Sequence, residues 1–274
     1  MRRIWIVALV LLGAMAPAWG QATGSSYLGF DRNEYPGDNS LKILRQTFSY
    51  AGYWLNYPPG ASRNSWAGHR AAVEAAGLGF LVLFNGRLYA ELKDVGKAAA
   101  MGKADAEAAA SASRSEGFPR RTIIFLDQEQ GGRMLPEQKA YIHAWVDGVN
   151  AGGFRAGIYC SGTAAQDDGN VVTAEDIRAN AGGRNIVYWV ANDGCPPSPG
   201  CAFPPQPPRP AQSGVRFAEV WQFAQSPRRG DVTGHCTNYD RDSNCYPPGV
   251  PAASGLHVDV NTASTPDPSQ GRTR

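Results

Sequence analysis

Short apolar runs recur along the chain, and longer segments with helical patterning separate most of them. Each run is rich in β-branched, aromatic or leucine residues and is bounded by glycine, proline or charged residues, which is typical of buried strands. The predicted strands cover residues 27–31, 47–55, 79–84, 122–127, 155–160, 186–191, 219–223 and 257–260.

Several of the intervening segments carry helix signals. Residues 96–116 are rich in alanine and stop at Gly117, and residues 136–150 carry Pro136 in the first turn. Thr173 is a capping residue that opens a further short helix. The predicted helices cover residues 66–76, 96–116, 136–150 and 173–180.

Continuous apolar strands that alternate with helices predict a parallel sheet covered on both faces. About eight such strands predict an α/β fold closed as a TIM-type (β/α) barrel, here spanning residues 23–261. The last third is expected to be irregular, because residues 194–213 are rich in proline and residues 226–254 are polar. The polar C-terminal tail, residues 262–274, is expected to be loose.

Residues 1–22 have the pattern of a signal peptide. Arg2 and Arg3 precede the apolar run Ile4–Leu12, and small residues follow at the expected cleavage site. This run is shorter than the roughly 20 residues that cross a bilayer, and no later stretch is apolar enough to do so. The sequence therefore predicts an exported protein without a membrane span, located in the periplasm or outside the cell.

The charge balance argues against two classes of partner. The chain has 26 basic and 24 acidic residues, and cleavage after the signal peptide would remove Arg2 and Arg3 and leave equal numbers. A formally neutral protein gives no reason to expect binding to nucleic acid or to an anionic membrane surface.

All five cysteines follow the predicted cleavage site. In an oxidising compartment the local pairs Cys195–Cys201 and Cys236–Cys245 are the economical pairing. Cys160 is left over and, at the end of a strand, is expected to be a small buried residue. The histidines lack ligand spacing to these cysteines, so we expect neither a metal site nor a cofactor.

The strand at 122–127 ends in the polar segment Asp127-Gln128-Glu129, which carries two acidic residues. On a strand, residues i and i+2 point to the same side, so the two carboxylates would face one way, about 7 Å apart at the backbone. Glycosidic cleavage uses such a pair, with one protonated acid and one ionised partner. A structural ion pair with Arg121 or Arg133 is the alternative.

Other predicted strands also end in polar residues, and in a parallel barrel the strand C-termini converge on the face where active sites lie. Asp31 and Asp259 would join Asp127 and Glu129 there as candidate catalytic residues, and the four acids would raise one another's pKa values. Candidate substrate-binding residues near the same ends are Tyr159, Gln222, Trp54, Trp189, Asn192 and Trp221. Core packing is the alternative for the tryptophans.

A family resemblance rests on six short motifs in order. They are Gly29-Phe30-Asp31, Leu126-Asp127-Gln128-Glu129, Gly157-Ile158-Tyr159, Trp189-Val190-Ala191, Trp221-Gln222-Phe223 and Val258-Asp259-Val260-Asn261. Over about residues 27–261 the chain resembles glycoside hydrolase family 25 lysozymes. It is more similar to a related bacterial glycoside-hydrolase-like domain of unknown function.

The resemblance implies a barrel of parallel strands with a carbohydrate-binding groove at its C-terminal face. It implies Glu129 as general acid and Asp127 as its acidic partner, while Asp31 and Asp259 would tune these two and hold substrate. The implied partner is a carbohydrate polymer, cleaved at the β-1,4 bond after N-acetylmuramic acid in peptidoglycan.

The chain also departs from those lysozymes, at Gln130–Arg133, at Asn192-Asp193 and in the cysteine-bracketed loops. These departures leave two main functions open. One is an exported glycoside hydrolase of the lysozyme type, and the other is a glycan-binding barrel of the cell envelope that does not cleave. Envelope protein contact is a third. A retaining, an inverting and a substrate-assisted mechanism also stay open.

Overall fold

The structure is a computed structural model that describes residues 25–166 and 169–273. The predicted signal peptide, residues 1–22, lies outside the described residues. Within the described part of the chain, no helix has the length and apolar character needed to cross a bilayer.

Eight strands form a closed barrel in the order β1-β10-β9-β8-β5-β4-β3-β2, which confirms the predicted α/β TIM-type barrel. A short hairpin, β6 with β7, lies outside it. The strands are β1 (Tyr27–Asp31), β2 (Tyr50–Trp54), β3 (Gly79–Asn85), β4 (Ile123–Asp127), β5 (Arg155–Ser161), β6 (Ala164–Ala165), β7 (Val171–Val172), β8 (Val187–Ala191), β9 (Val220–Ala224) and β10 (Asp259–Ala263).

The four predicted helices are present, and two short helices were not predicted. The helices are α1 (Asp38–Leu44), α2 (Arg70–Ala75), α3 (Val95–Ser115), α4 (Pro136–Ala151), α5 (Thr173–Ala179) and α6 (Gly230–Thr233). Helix α3 begins after Asp94, whose carboxylate accepts the backbone N–H of Lys97 at 2.8 Å. It packs closely on α4, since a Cβ at Gly102 would lie 2.2 Å from the Tyr141 carbonyl oxygen.

The last strand corrects the prediction of an all-parallel barrel. Strand β10 runs antiparallel to both β1 and β9, whereas the other neighbouring strands of the barrel pair in parallel. The connection after β9 carries no helix that returns the chain to the opposite end, so β10 starts from the C-terminal face. Asp259 therefore begins its strand rather than ending it, yet it still lies on the same face as Asp31.

The disulfide pairing predicted from sequence was wrong. The bonds are Cys195–Cys236 and Cys201–Cys245, with separations of 41 and 44 residues. Strands β8 and β9 are parallel neighbours, so the loops that follow them leave the barrel side by side, and cysteines on different loops meet. The predicted burial of Cys160 is confirmed, and its thiol is free.

The C-terminal tail is anchored, contrary to the prediction that it is loose. Ser269 is fully buried, and its backbone accepts a hydrogen bond from the N–H of Ile123 and donates one to the carbonyl of Phe80, both at 2.8 Å. Its hydroxyl accepts the N–H of Val82 at 2.8 Å. The tail thus completes the hydrogen bonding of β3 and β4.

Removal of the Ser269 hydroxyl should destabilise the barrel. Ser269→Ala leaves the buried N–H of Val82 without its acceptor, which should lower the free energy of unfolding by about 1–3 kcal/mol. Urea denaturation measures this change. Ser254→Ala, at an exposed turn, is the control and should stay within about 0.5 kcal/mol of the parent. Equal stabilities of the two variants would show that the tail contact does not support the barrel.

Candidate active site

Asp127 and Glu129 lie at the end of β4 in different environments. Asp127 is the last residue of the strand, is paired with Asn85 and Tyr159 on either side, and is 4% exposed. Glu129 lies beyond the strand and is the more exposed residue of the two, although the surrounding protein still removes much of the water from its carboxyl group. Their two carboxyl groups are close enough to shift each other's pKa by sharing a hydrogen bond, which requires a proton between them. Asp127 Oδ1 is buried without a hydrogen-bond partner among the described residues.

Burial is the main cause that raises both pKa values of this carboxyl pair. The pKa of Asp127 is raised well above its ordinary value, because the charges of Glu129 and Asp31 act in the same direction as burial. The pKa of Glu129 is also raised, although the hydrogen bond with Asp127 and the positive charge of Arg229 oppose the shift. The pair therefore keeps one shared proton at a pH at which an isolated carboxyl would have lost it.

Asp31 and Asp259 face each other across β1 and β10, and Gln222 links them. The Gln222 amide nitrogen donates to Asp31 Oδ1 at 3.1 Å and to Asp259 Oδ2 at 3.3 Å. Asn261 donates a further bond of 2.6 Å to Asp31 Oδ1. A Cβ at position 52 would lie 2.5 Å from the Asp31 Cβ, so Gly52 is what allows β2 to lie this close.

These two acids also have raised pKa values. Burial raises the pKa of Asp31 to about 6, against the opposing hydrogen bonds from Asn261 and Gln222. Burial and the charge of Asp31 raise the pKa of Asp259 well above its ordinary value, against a hydrogen bond of 2.6 Å from the Ser226 backbone N–H. All four predicted acids therefore share one end of the barrel and lie close enough to affect one another's ionisation.

Tyr159 and Gln222 lie beneath the acids rather than at the surface, at 7% and 2% exposure. The Tyr159 hydroxyl donates to the Gln222 side-chain oxygen at 2.8 Å, and Gln225, which was not predicted, donates to both groups. Together they form a layer of hydrogen bonds that fixes the orientation of the Gln222 amide toward Asp31 and Asp259.

The other predicted substrate-binding residues have structural contacts in the interior. Each indole N–H of Trp54, Trp189 and Trp221 is bonded within the protein, to the Arg32 carbonyl, the Asn261 side chain and the Asn192 carbonyl respectively. Asn192 donates to the Ser213 carbonyl at 2.7 Å. The three tryptophans are at most 3% exposed, so the structure assigns them to the core instead of to a sugar platform.

The structural ion pair considered as an alternative finds little support. Arg121 precedes β4 and so lies at the opposite end of the strand from Asp127. Arg133 Nη1 lies 3.8 Å from Asp176, and the neighbouring Gly132 N–H bonds to Thr173. The Gln130–Arg133 segment is thus fastened to α5. In the described residues no group of three or more His, Cys, Asp or Glu side chains is arranged to hold a metal ion.

Sequence reasoning missed an ion pair next to the acids. Asp193, after β8, is 1% exposed and accepts hydrogen bonds from Arg229, on the loop that follows β9. The disulfide Cys195–Cys236 ties these two loops together. Only the adjacency of β8 and β9 brings the two residues together, and no local pattern in the sequence encodes that adjacency.

Comparisons with known proteins agree with this architecture. The sequence model of a family described as "Rv2525c-like, glycoside hydrolase-like domain" matches residues 52–195, which is more than half of the chain. None of the curated proteins matches the chain.

Solved structures resemble the fold at low sequence identity. An uncharacterized B. stearothermophilus protein is 20% identical with a TM-score of 0.54, over 86% of this chain and 95% of that chain. The Mycobacterium tuberculosis Tat-secreted protein Rv2525c, in complex with HEPES, is 15% identical with a TM-score of 0.52, over 89% and 97%. The virulence factor GHIP of Streptococcus pneumoniae, a glycosyl hydrolase 25, is 12% identical with a TM-score of 0.50, over 85% of each chain. The family expected from the motifs is confirmed, and its relation to family 25 lysozymes is confirmed in the fold.

The raised pKa of Asp31 predicts a pH-dependent stability change. Its pKa is about 6 in the folded protein against an ordinary value of 3.8 for an aspartate side chain, so the folded state binds this proton more tightly than the unfolded chain. Stability is therefore lost as pH rises from about 4 to above 6. Asp31→Asn keeps the acceptor oxygen without the charge. It should raise the free energy of unfolding at pH 8 by up to about 3 kcal/mol, and by less at pH 4.

Denaturant unfolding at both pH values measures the difference, with Glu107→Gln on the exposed side of α3 as the control. A stabilisation by Asp31→Asn of equal size at pH 4 and pH 8, or a loss at pH 8, would contradict the assignment.

Proposed function

Because the chain belongs to the Rv2525c-like, glycoside hydrolase-like domain family, we propose that it is an exported glycoside hydrolase that cleaves β-1,4 bonds in peptidoglycan or a related amino-sugar polymer. The single observation that carries the proposal is the placement of Asp127 and Glu129 side by side at the end of β4, at the barrel end that also holds Asp31 and Asp259, where the pKa values of both carboxyls are raised. General acid catalysis needs a carboxyl that is still protonated at the working pH.

Glu129 is the member of the pair that substrate can reach, so it is the proposed general acid. It protonates the oxygen of the leaving sugar while the bond from that oxygen to the anomeric carbon breaks. Water then supplies a hydroxyl group to the anomeric carbon, and its second proton returns to Glu129. Asp127, buried beneath, shares the proton with Glu129 and holds it in the resting enzyme.

Asp127 has a second proposed role, because its buried Oδ1 has no partner among the described residues. This role is to orient the attacking water or the acetamido group of the substrate. A hydrogen-bonded pair lacks the gap of about 6.5–9.5 Å that inverting enzymes keep for a water molecule. It also lacks the separation of about 5–5.5 Å that retaining enzymes keep between acid and nucleophile. The arrangement therefore favours a substrate-assisted route, in which the acetamido oxygen of the substrate is the nucleophile. Asp31 and Asp259 would tune the pair and hold substrate.

Export is proposed from two observations beside the signal-peptide pattern. The described chain contains two disulfides, which persist in oxidising compartments. The structurally similar Rv2525c protein is described as Tat-secreted.

A glycan-binding barrel that does not cleave is the second candidate. A cavity of about 520 Å³ lies at the ends of β2 and β3, and its lining includes Tyr57, which is 60% exposed, and the amides Asn56 and Asn85. The open aromatic face suits a sugar ring. The amide nitrogens of Asn56 and Asn85 donate to the carbonyls of Asn85 and Tyr57, so these bonds hold Tyr57 in place. Retention on purified peptidoglycan without release of reducing ends would favour this candidate over the hydrolase.

Replacement of the proposed acid should slow cleavage strongly. Glu129→Gln keeps the shape of the side chain but cannot donate the proton, so the rate should fall by about 10²–10⁴-fold. Release of reducing ends from purified peptidoglycan by the protein without residues 1–22 is the assay.

Glu107→Gln, an exposed carboxyl on α3, is the matched control and should retain the parent rate. Binding of Glu129→Gln to peptidoglycan and its thermal unfolding should also match the parent. Unchanged turnover by Glu129→Gln would rule out the assignment.

The value of kcat/KM should fall at high pH. The carboxyl pair must hold a proton, so the rate falls as pH rises through the raised pKa of Glu129 and Asp127, above the usual carboxyl range. Arg229→Gln removes a positive charge that lowers the pKa of Glu129, and should move this fall to higher pH. A rate that rises steadily with pH, or a fall that moves to lower pH in Arg229→Gln, would contradict the shared proton.

A further inference from the structure

Arg32 directly follows Asp31 at the end of β1, and its guanidinium makes no side-chain hydrogen bond or close ion pair with the described residues. Burial lowers its pKa, whereas the charges of Glu34 and Asp259 raise it from a longer distance. Its Nε and Nη1 atoms are buried and have no hydrogen-bond acceptor. The third nitrogen, Nη2, also makes no hydrogen bond to the described residues, and it is not buried. The guanidinium therefore faces solvent through Nη2. Arg32 as a whole is half-buried, and buried N–H groups of a cation that lack an acceptor are unfavourable for folding, which makes this position unusual.

The position of Arg32 is fixed by its backbone. Its carbonyl oxygen accepts the indole N–H groups of both Trp54 and Trp66 at 3.2 Å, and both indoles are buried. Two bonds to one carbonyl hold the backbone at the point where the side chain leaves β1. The guanidinium is therefore presented from a rigid part of the barrel, which is how a recognition residue is best supported.

Arg32 lines a cavity of about 380 Å³ whose wall also includes Asp259, Ser226 and His257. Asp259 belongs to the hydrogen-bond network of Asp31 and Gln222, so a group bound in this cavity lies next to the proposed catalytic acids. The cavity and the acid cluster share a wall, and one substrate molecule can contact both.

The charges around the cavity leave Arg32 as its main positive group. The raised pKa of Asp259 favours the uncharged carboxyl, and burial together with the charge of Arg32 lowers the pKa of His257, which favours neutral imidazole. Glu34, which is exposed, is the remaining acid in the lining. An anionic group would gain most from the guanidinium, because charge-assisted hydrogen bonds to arginine are the strongest available there.

We propose that this cavity binds a carboxylate carried by the amino sugar in the groove, with Arg32 as the residue that recognises it. The inference rests on the proposed function and specifies its substrate as a glycan whose sugars bear acidic substituents. The carboxylate has two possible sources in peptidoglycan: the lactyl group of an unsubstituted N-acetylmuramic acid, or the peptide attached to that lactyl group.

Two monosaccharides test the proposal directly, because N-acetylmuramic acid differs from N-acetylglucosamine only in the lactyl ether and its carboxylate. NMR titration of the parent protein should show about tenfold or greater preference for N-acetylmuramic acid. Arg32→Gln should remove this preference, and its stability should stay close to that of the parent, since the guanidinium has no protein hydrogen bond to lose and its attraction to Glu34 and Asp259 acts without direct contact. Arg216→Gln, an exposed arginine before β9 at the opposite end of the barrel, is the matched control and should keep the preference.

A third ligand distinguishes the two sources of carboxylate. In N-acetylmuramoyl-L-alanyl-D-isoglutamine the lactyl carboxyl has become an amide, and the free carboxylate lies in the peptide. Binding of this ligand that depends on Arg32 assigns recognition to the peptide. Arg32-dependent binding of N-acetylmuramic acid alone assigns recognition to the lactyl group.

Equal affinity of the parent for the two monosaccharides, or a preference that survives in Arg32→Gln, would overturn the inference. If the parent protein shows no such preference but releases reducing ends from peptidoglycan, only the inference fails and the proposed hydrolase stands. If the Arg32-dependent preference is present but no reducing ends are released, the carboxylate site stands and the hydrolase proposal fails.

Discussion

The antiparallel pairing of β10 with β1 is the constraint on which the site depends. It places Asp259 opposite Asp31 and brings Asn261, two residues further along, to the Asp31 carboxylate. It also closes the barrel, since β10 bonds to β9 on its other side. A parallel last strand would carry Asp259 and Asn261 in the reverse order along the barrel axis. The hydrogen bonds that join Asp31, Gln222 and Asp259 could not then form, and neither could the bond from Trp189 to Asn261.

Burial of carboxyl groups at this end of the barrel is unfavourable for folding, and hydrogen bonds compensate for it only in part. Amide donors from Gln222 and Asn261 satisfy Asp31, whereas Asp127 keeps one buried oxygen without a partner among the described residues. A structure selected for stability alone would replace such groups with apolar residues of similar volume. Strongly shifted carboxyl pKa values that cluster at a strand end in a barrel are instead typical of functional sites, where stability is exchanged for a proton held at the working pH.

The parts of this architecture that the sequence predicted are those that local patterns encode. Apolar runs located the barrel strands, the alanine-rich segment located α3, and charge at the end of an apolar run located Asp127 and Glu129. Strand direction was not predictable, because a short strand pattern such as the one at 257–260 is compatible with a parallel or an antiparallel neighbour. The disulfide partners depended on β8 lying beside β9, and the anchored tail depended on backbone bonds made by Ser269, so neither left a local signal. Arg229 meets Asp193 for the same long-range reason.

The buried tryptophans at this end of the barrel support a charged side chain and do not form a surface for sugar rings. They were candidates for stacking on sugar rings, but their rings are buried and their indole N–H groups bond to backbone or amide oxygens. The indole N–H groups of Trp54 and Trp66 both donate to the carbonyl of Arg32, so these aromatic residues fix the backbone from which a charged side chain extends. The surface next to the acids is therefore polar, with Arg32 as a donor that the protein itself does not satisfy. For the proposed glycan substrate, charge complementarity would be the main source of selectivity beside the acids, and aromatic contact would fall to the exposed Tyr57 at the ends of β2 and β3.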